Sequence, residues 1–102
     1  NTQIHTALKY IHRNLANDIT VSDIVKQVPL SRRLLEIRFK EVTKQSIHKY
    51  ILNLRIERFA QLLLASDAPI ADVAEQVGIK TLKNLSRQFK TLKKVSPYEY
   101  SK

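Results

Sequence analysis

The sequence predicts an all-α fold of seven helices, in which two helix-turn-helix subdomains are joined by a long connector helix. Hydrophobic residues make up 43% of the 102 residues and recur at helical spacing. Only one glycine is present, which leaves little room for hairpins. One apolar pattern also occurs twice, at an offset of 49 and then 50 residues: Val21, Ile24, Val25, Val28, Leu35 and Phe39 match Ile70, Val73, Ala74, Val77, Leu85 and Phe89.

The first copy begins with two predicted helices. The first covers residues 2–16, because apolar side chains recur there every three or four positions: Ile4, Leu8, Ile11 and Leu15. Thr20 is a suitable N-cap for a short second helix, and Asp23 three residues later forms an approximate capping box with it. The second helix extends to Val28, because Pro29 lacks a backbone N–H and stops it or marks the turn.

Serine caps define the next two helices. Ser31 begins the third helix, the first recognition helix, over about 31–43. Ser46 begins the connector helix, which reaches Leu64 or Ala65. Its second half is apolar on nearly every side, so we expect it to be covered on more than one side. The first helix-turn-helix subdomain is predicted over residues 1–45, the connector helix over 46–65 and the second helix-turn-helix subdomain over 66–102.

The second copy repeats this plan. A fifth helix is predicted over residues 70–77, and Gly78 provides the turn that follows it. Thr81 is a plausible cap for the sixth helix, the second recognition helix, over about 81–93. A short final helix starts after Ser96, because proline is favoured at the first position of a helix.

The charge is strongly positive and unevenly distributed. Eighteen Lys and Arg residues against nine Asp and Glu residues give a net charge of +9. The last 24 residues carry seven basic residues against Glu99 alone, which is +6, and the first 78 residues carry +3. Because this run coincides with the second recognition helix, it favours a phosphate-binding surface over a merely solvated one.

The composition argues against several other classes. The chain has no cysteine, which excludes disulfides, thiolate catalysis and Cys-ligated zinc and is consistent with a reducing cytoplasm. No apolar run approaches the roughly 18 residues of a membrane span, and no signal peptide is recognisable. His5 and His12 are too far apart for a typical metal pair on one helix. We therefore predict no enzyme activity, no cofactor and no membrane association.

Each recognition helix has a predicted inner and outer face. We expect these side chains to point inward: Leu35, Phe39 and Val42 on the third helix, and Leu82, Leu85, Phe89 and Leu92 on the sixth. Arginine can donate two hydrogen bonds to guanine and asparagine can pair with adenine, so residues of the outer faces are candidates for base contact: Arg32, Arg33, Glu36, Ile37, Lys83, Asn84 and Arg87. The candidates for phosphate contact are Ser31, Lys40, Thr81, Ser86 and Lys90. For Glu36, an ion pair with Lys40 and readout of a cytosine amino group remain equal alternatives.

These residues resemble the C-terminal DNA-binding domain of AraC/XylS-type transcription regulators. The resemblance covers nearly the whole chain and includes both repeats and the connector. Its main positions are Ser31, Leu35, Phe39, Lys40, Tyr50, Ile51, Arg55, Leu62, Leu63, Ile70, Ala74, Gly78, Leu85, Ser86, Arg87, Phe89, Lys90, Ser96, Pro97 and Tyr100. So many matches in register are far more specific than a lone helix-turn-helix.

The resemblance implies a bacterial cytoplasmic regulator, usually an activator, that inserts both recognition helices into successive major grooves of double-stranded DNA. A connector of about twenty residues is about 30 Å long, close to the roughly 34 Å of one DNA turn. Because the two copies differ, we expect an asymmetric DNA site. RNA polymerase is a further candidate partner. We expect dimerisation and effector binding through an N-terminal domain that precedes Asn1.

The chain departs from the family pattern at several positions. Pro29 stands where the first turn usually has glycine, so we expect that turn to close differently. Ile37 occupies a position where arginine is common in the family, whereas the equivalent position of the second repeat has an arginine, Arg87. Lys44 and Lys94 replace the glycine that usually ends the recognition helices. A non-specific nucleic-acid-binding or protein-interaction helical module remains the alternative, because a basic surface alone does not establish sequence-specific binding.

Overall fold

The computed structural model describes residues 2–80 and 82–100, without the side chain of Leu82. Over these residues the chain forms seven helices and no strand, as the sequence predicts. In order they are α1 (Thr2–Arg13), α2 (Val21–Val25), α3 (Arg32–Thr43), α4 (Ile47–Ala65), α5 (Ile70–Gln76), α6 (Leu82–Lys93) and α7 (Pro97–Tyr100). The chain divides into two compact units, Asn1–Leu52 and Asn53–Lys102, whose boundary falls within α4.

The first unit has its own apolar core, to which all of its helices contribute. Its buried side chains are Ile4, Ala7, Ile11, Leu15, Val21, Ile24, Val28, Leu35, Phe39, Ile47 and Ile51. Phe39 is fully buried and meets the ring of Tyr50 edge-on, with centroids 5.4 Å apart and an interplanar angle of 87°. The Tyr50 hydroxyl lies 2.9 Å from Nε2 of His12, and burial raises the pKa of Tyr50 above its ordinary value.

The second unit repeats this core with equivalent residues. Its buried apolar side chains are Ile56, Phe59, Ala60, Leu63, Val73, Ala74, Val77, Leu85 and Phe89. Phe89 meets Tyr100 edge-on at 5.2 Å, which repeats the Phe39–Tyr50 contact fifty residues later. Phe59 adds a second edge-on contact to Phe89 at 5.7 Å. The duplicated sequence pattern is therefore a duplicated core pattern.

Side-chain caps begin several of the helices, as the sequence predicts. Thr20 Oγ1 accepts a hydrogen bond from the backbone N–H of Asp23, and the Thr20 N–H donates to Asp23 Oδ2, which completes a capping box. The Thr20 backbone hydrogen bond holds the pKa of the Asp23 carboxyl below its ordinary value. Ser46 Oγ accepts from the N–H of Lys49 at the start of α4. Proline stands at the first position of α7, as expected.

Two helices end three residues earlier than predicted. Helix α1 ends at Arg13 instead of residue 16, and there Asn14 Nδ2 donates to the Tyr10 carbonyl, so a side chain takes part in ending the helix. Helix α2 ends at Val25 instead of Val28. Beyond Val25 the N–H groups of Gln27 and Val28 donate to carbonyls three residues earlier, so the chain continues as turns and the α-helix is shorter than its apolar spacing indicates.

The two helix-turn-helix turns close differently, as the exchange of glycine for proline predicts. After α5, Gly78 takes a positive φ of 81°. Its N–H donates to the Glu75 carbonyl and the N–H of Ile79 donates to the Ala74 carbonyl, which is the hydrogen-bond pattern of a Schellman motif. Pro29 has neither the N–H nor the φ freedom that this pattern requires. The first turn instead has hydrogen bonds between residues three apart in sequence. Gln27 donates its N–H to the Ile24 carbonyl, and Val28 donates its N–H to the Val25 carbonyl.

Helices α3 and α6 each end at a lysine in the left-handed conformation. Lys44 has a φ of 65° and Lys94 a φ of 70°. Each donates its N–H to the carbonyl four residues earlier, that of Lys40 or of Lys90, at 2.8 and 2.9 Å. A side chain with a Cβ atom carries a steric cost in this region of about 1 kcal/mol or more, which glycine avoids. The fold thus imposes a glycine conformation on two lysines.

We expect Lys44→Gly to raise the free energy of unfolding by about 0.5–1 kcal/mol, because relief of strain exceeds the added freedom of the unfolded chain. Lys40→Gly, within the same helix, is the matched control and is expected to lower it by about 1 kcal/mol. Denaturant unfolding of both variants measures the two changes. Equal destabilisation by both substitutions would show that Lys44 is not strained.

Two residues that were predicted to point into the core are half-exposed instead. Val42 is 49% exposed and Leu92 is 41% exposed. Both lie in the last turn of their helices, just before the chain turns away at Lys44 or Lys94, so the buried face of each helix ends one turn earlier than its apolar spacing indicates. The second half of the connector helix was expected to be covered on more than one side, but Leu64 is 64% exposed. Thr81 and the Leu82 side chain lie outside the described residues.

Candidate nucleic-acid interface

Helix α3 separates its apolar anchors from its polar residues. Leu35 and Phe39 are fully buried within the first unit. All the candidate contact residues of the first repeat are exposed: Ser31, Arg32, Arg33, Glu36, Ile37 and Lys40. Ile37 is 48% exposed among these charged neighbours, which leaves it available for an apolar contact such as a thymine methyl group.

Helix α6 has the same division. Leu85 and Phe89 are buried in the second unit. The described candidate contact residues of this repeat are all exposed: Lys83, Asn84, Ser86, Arg87 and Lys90. The sequence of α6 contains no acidic residue, so its outer face is uniformly neutral or positive. Thr81, the remaining candidate, lies outside the described residues.

Equivalent side chains form a stripe on each helix. On α6 the stripe consists of Lys83, Arg87 and Lys90, spaced by four and then three residues and therefore on one face. On α3 the matching positions hold Arg33, Ile37 and Lys40. The two stripes have the same geometry along their helices but differ in chemistry at the middle position.

Ser31 has a structural role as the N-cap of α3. Its Oγ accepts a hydrogen bond from the backbone N–H of Leu34 at 3.2 Å, and its own conformation is extended. The side chain is exposed, so one oxygen lone pair remains accessible to solvent. The cap that the sequence predicts is thus confirmed, and phosphate contact by Ser31 stays a prediction.

Glu36 has a partner that the sequence analysis did not name. Its Oε1 accepts a hydrogen bond from Nε of Arg32 at 3.0 Å, four residues earlier. The expected alternative partner was Lys40, four residues later. Both side chains of the observed pair stay open to solvent, at 60% for Arg32 and 52% for Glu36. Helical spacing allows either cation to reach Glu36, so spacing alone could not decide between them.

A groove of about 270 Å³ lies beside the exposed face of α3. Its lining residues come from α2, α3 and the start of α4 within the first unit: Val21, Glu36, Ile37, Lys40, Ser46, Ile47 and His48. No sequence pattern predicts this groove, because residues far apart in sequence form it. It extends the surface beside α3 with apolar walls and a rim of charged side chains.

One basic residue of the C-terminal run has a structural partner. Lys93 Nζ lies 2.9 Å from Oε1 and 3.0 Å from Oε2 of Glu57 on α4, and its side chain is only 22% exposed. Lys93 therefore ties the end of α6 to α4 within the second unit. Lys93 belongs to the basic C-terminal run by sequence, but its charge is paired with Glu57.

Two kinds of site are not found in the described part of the chain. No three His, Asp or Glu side chains of residues 2–80 and 82–100 come together as a candidate metal site. None of the helices in that same part combines the length and hydrophobicity that a membrane span requires.

The comparison with protein families agrees with this geometry. A family model described as a helix-turn-helix domain matches residues 24–102, from α2 through the second repeat. MarA, the multiple antibiotic resistance protein of Escherichia coli, is 31% identical over 97 residues, which cover 95% of this chain and 76% of MarA. The chain belongs to the AraC/XylS family. It is a DNA-binding helix-turn-helix domain of the kind found in the transcription regulators of that family.

Other AraC/XylS relatives show how much of a regulator the chain represents. An AraC-like transcription regulator of Streptomyces antibioticus is 33% identical over 99 residues, which cover 97% of this chain and 33% of that protein. The chain thus spans about a third of this relative and about three quarters of MarA. The C-terminal domain of AraT, a response regulator from Geobacillus stearothermophilus, is 28% identical, covers 99% of this chain and 84% of the AraT domain, and superimposes with a TM-score of 0.91.

Proposed function

We propose that this AraC/XylS domain binds an asymmetric double-stranded DNA site and recognises its sequence with helices α3 and α6. The observation that carries the proposal is that each unit presents one twelve-residue helix anchored by a buried leucine and phenylalanine. The opposite face of each helix exposes side chains that can hydrogen-bond to base edges.

We propose a division of labour among the exposed residues. Base contacts come from side chains with hydrogen-bond donors, or from an apolar contact: Arg32, Arg33, Ile37, Lys83, Asn84 and Arg87. Glu36, the remaining candidate for base contact, carries only acceptors and lies beside Arg32. Phosphate contacts come from Ser31, Lys40, Thr81, Ser86 and Lys90 and set the register of each helix. The basis is chemical, because guanidinium and amide groups match base edges and ammonium groups neutralise phosphates.

The proposal includes insertion into two successive major grooves. The duplication supports it, because each unit has its own buried core and its own exposed stripe on a twelve-residue helix. The differing middle residues of the two stripes, Ile37 and Arg87, support an asymmetric site. We further propose RNA polymerase as a protein partner of this domain.

Selection of bound sequences from a pool of random duplexes tests this proposal. We expect an enriched site with two different blocks whose centres lie about 10–10.5 base pairs apart, since that spacing brings two major grooves onto one face of the duplex. Enrichment of a single block would contradict the two-groove arrangement. No enrichment at all would favour the alternative of a non-specific nucleic-acid-binding or protein-interaction module.

A further inference from the structure

The Arg32–Glu36 ion pair lies on the exposed face of α3, among the proposed base-contacting residues. Only one nitrogen of the guanidinium, Nε, donates to Glu36 Oε1, at 3.0 Å. Both side chains are more than half exposed, so the pair does not serve to neutralise a charge inside the core. An exposed pair of this kind contributes little to helix stability, which leaves its position on the surface to be explained.

The geometry of the ion pair leaves the terminal amino groups of Arg32 free of Glu36. A guanidinium carries five N–H donors in a fixed planar fork, and engagement of Nε leaves the Nη1 and Nη2 groups free of Glu36. Guanine presents O6 and N7 in the major groove as two adjacent acceptors for such a pair of donors. Glu36 therefore restricts the rotation of Arg32 without occupying its terminal amino groups.

Glu36 by itself is unfavourable on a DNA-facing surface. Its carboxylate repels phosphates, and removal of that charge should strengthen binding to any duplex. The second repeat lacks this arrangement, because Leu82 and Ser86 stand at the equivalent positions and α6 has no acidic residue. A carboxylate beside an arginine in only one of the two helices, α3 but not α6, indicates a role specific to α3.

We propose that Glu36 is a positioning residue that holds Arg32 in the orientation for guanine recognition, and that it makes no base contact of its own. The inference rests on the proposed function and assigns a guanine to Arg32 within the first block of the DNA site. It replaces both earlier alternatives for Glu36, the ion pair with Lys40 and the readout of cytosine.

A double-mutant cycle with Arg32→Ala and Glu36→Ala tests this role on the selected duplex, on its single-base variants and on a shuffled duplex. Glu36→Ala is expected to reduce, by about two- to fivefold, the preference at the same base pair that Arg32→Ala affects. It should at the same time strengthen binding to the shuffled duplex. Glu36→Gln keeps an oxygen acceptor for Nε and is expected to retain more of the base preference than Glu36→Ala.

The Arg32→Ala background separates positioning from direct contact. There, Glu36→Ala should leave every base preference unchanged and still strengthen binding to the shuffled duplex. The inference is overturned if Glu36→Ala changes the preference at a base pair that Arg32→Ala leaves intact, or if its effect on base preference persists without Arg32. A wild-type chain that does not distinguish the selected from the shuffled duplex would instead refute the proposed function itself. Circular dichroism confirms that each variant keeps its helix content.

Discussion

Phe89→Ala is expected to lower the free energy of unfolding by about 3–5 kcal/mol, the usual cost of truncating a buried phenylalanine. Phe89 is fully buried and contacts two rings edge-on, Phe59 at 5.7 Å and Tyr100 at 5.2 Å. The substitution removes both ring contacts and leaves a cavity that the helices around it can fill only in part. A domain of this size has a total stability of about 5–15 kcal/mol, so the loss is a large fraction of it.

Leu92→Ala is the matched control for this prediction, because Leu92 lies on the same helix but is 41% exposed. We expect it to cost less than about 1 kcal/mol, since much less apolar surface is lost from the core. Denaturant unfolding monitored by circular dichroism gives both values. If Phe89→Ala were no more destabilising than Leu92→Ala, α6 could not be anchored through Phe89 as the structure indicates.

The second large effect concerns base preference. Arg33→Ala and Arg87→Ala are each expected to lower discrimination by about 1–3 kcal/mol, which is about 5- to 150-fold, at different and separated base pairs. The physical reason is that the two arginines lie on separate helices, α3 and α6, whose faces are anchored in separate cores. Binding to every single-base variant of the selected duplex measures the change at each position.

Lys90→Ala is the control for these arginine variants. Lys90 lies one turn beyond Arg87 on the same stripe and is exposed. As a phosphate contact it should weaken binding to all sequences by a similar factor and reduce the slope of log affinity against log salt concentration by about 1. Two results would contradict the division of labour. One is that both arginine variants alter the preference at the same base pair, and the other is that Lys90→Ala alters the preference at a single base pair.

Much of the fold could be predicted because it depends on local rules. The repeated apolar spacing identified the buried residues of both units, such as Leu35 and Leu85. Serine and threonine caps placed the starts of α2, α3 and α4 correctly, because a cap needs only a side-chain oxygen and a nearby N–H. The equivalent positions of the two turns hold Pro29 and Gly78, and this difference correctly predicted that the turns close differently.

The failures come from contacts and environments that spacing does not encode. Val42 and Leu92 continue the apolar spacing but lie where nothing in their units covers them fully. Glu57 and Lys93 are 36 residues apart, so no sequence pattern links them. Glu36 has three cations within helical reach, Arg32, Arg33 and Lys40, and the sequence could not choose between them. The candidate DNA contacts were named from chemistry and are all exposed where the structure describes them, but which bases they contact depends on the DNA.

The most direct test of sequence-specific DNA recognition is the affinity ratio between the selected duplex and a shuffled duplex of the same composition, measured across a salt series. We expect a ratio of about 10³ or more, with both affinities falling steeply as salt rises, because phosphate contacts supply the common part and base contacts supply the difference. Equal affinity for the selected duplex, the shuffled duplex and RNA at every salt concentration would contradict the account.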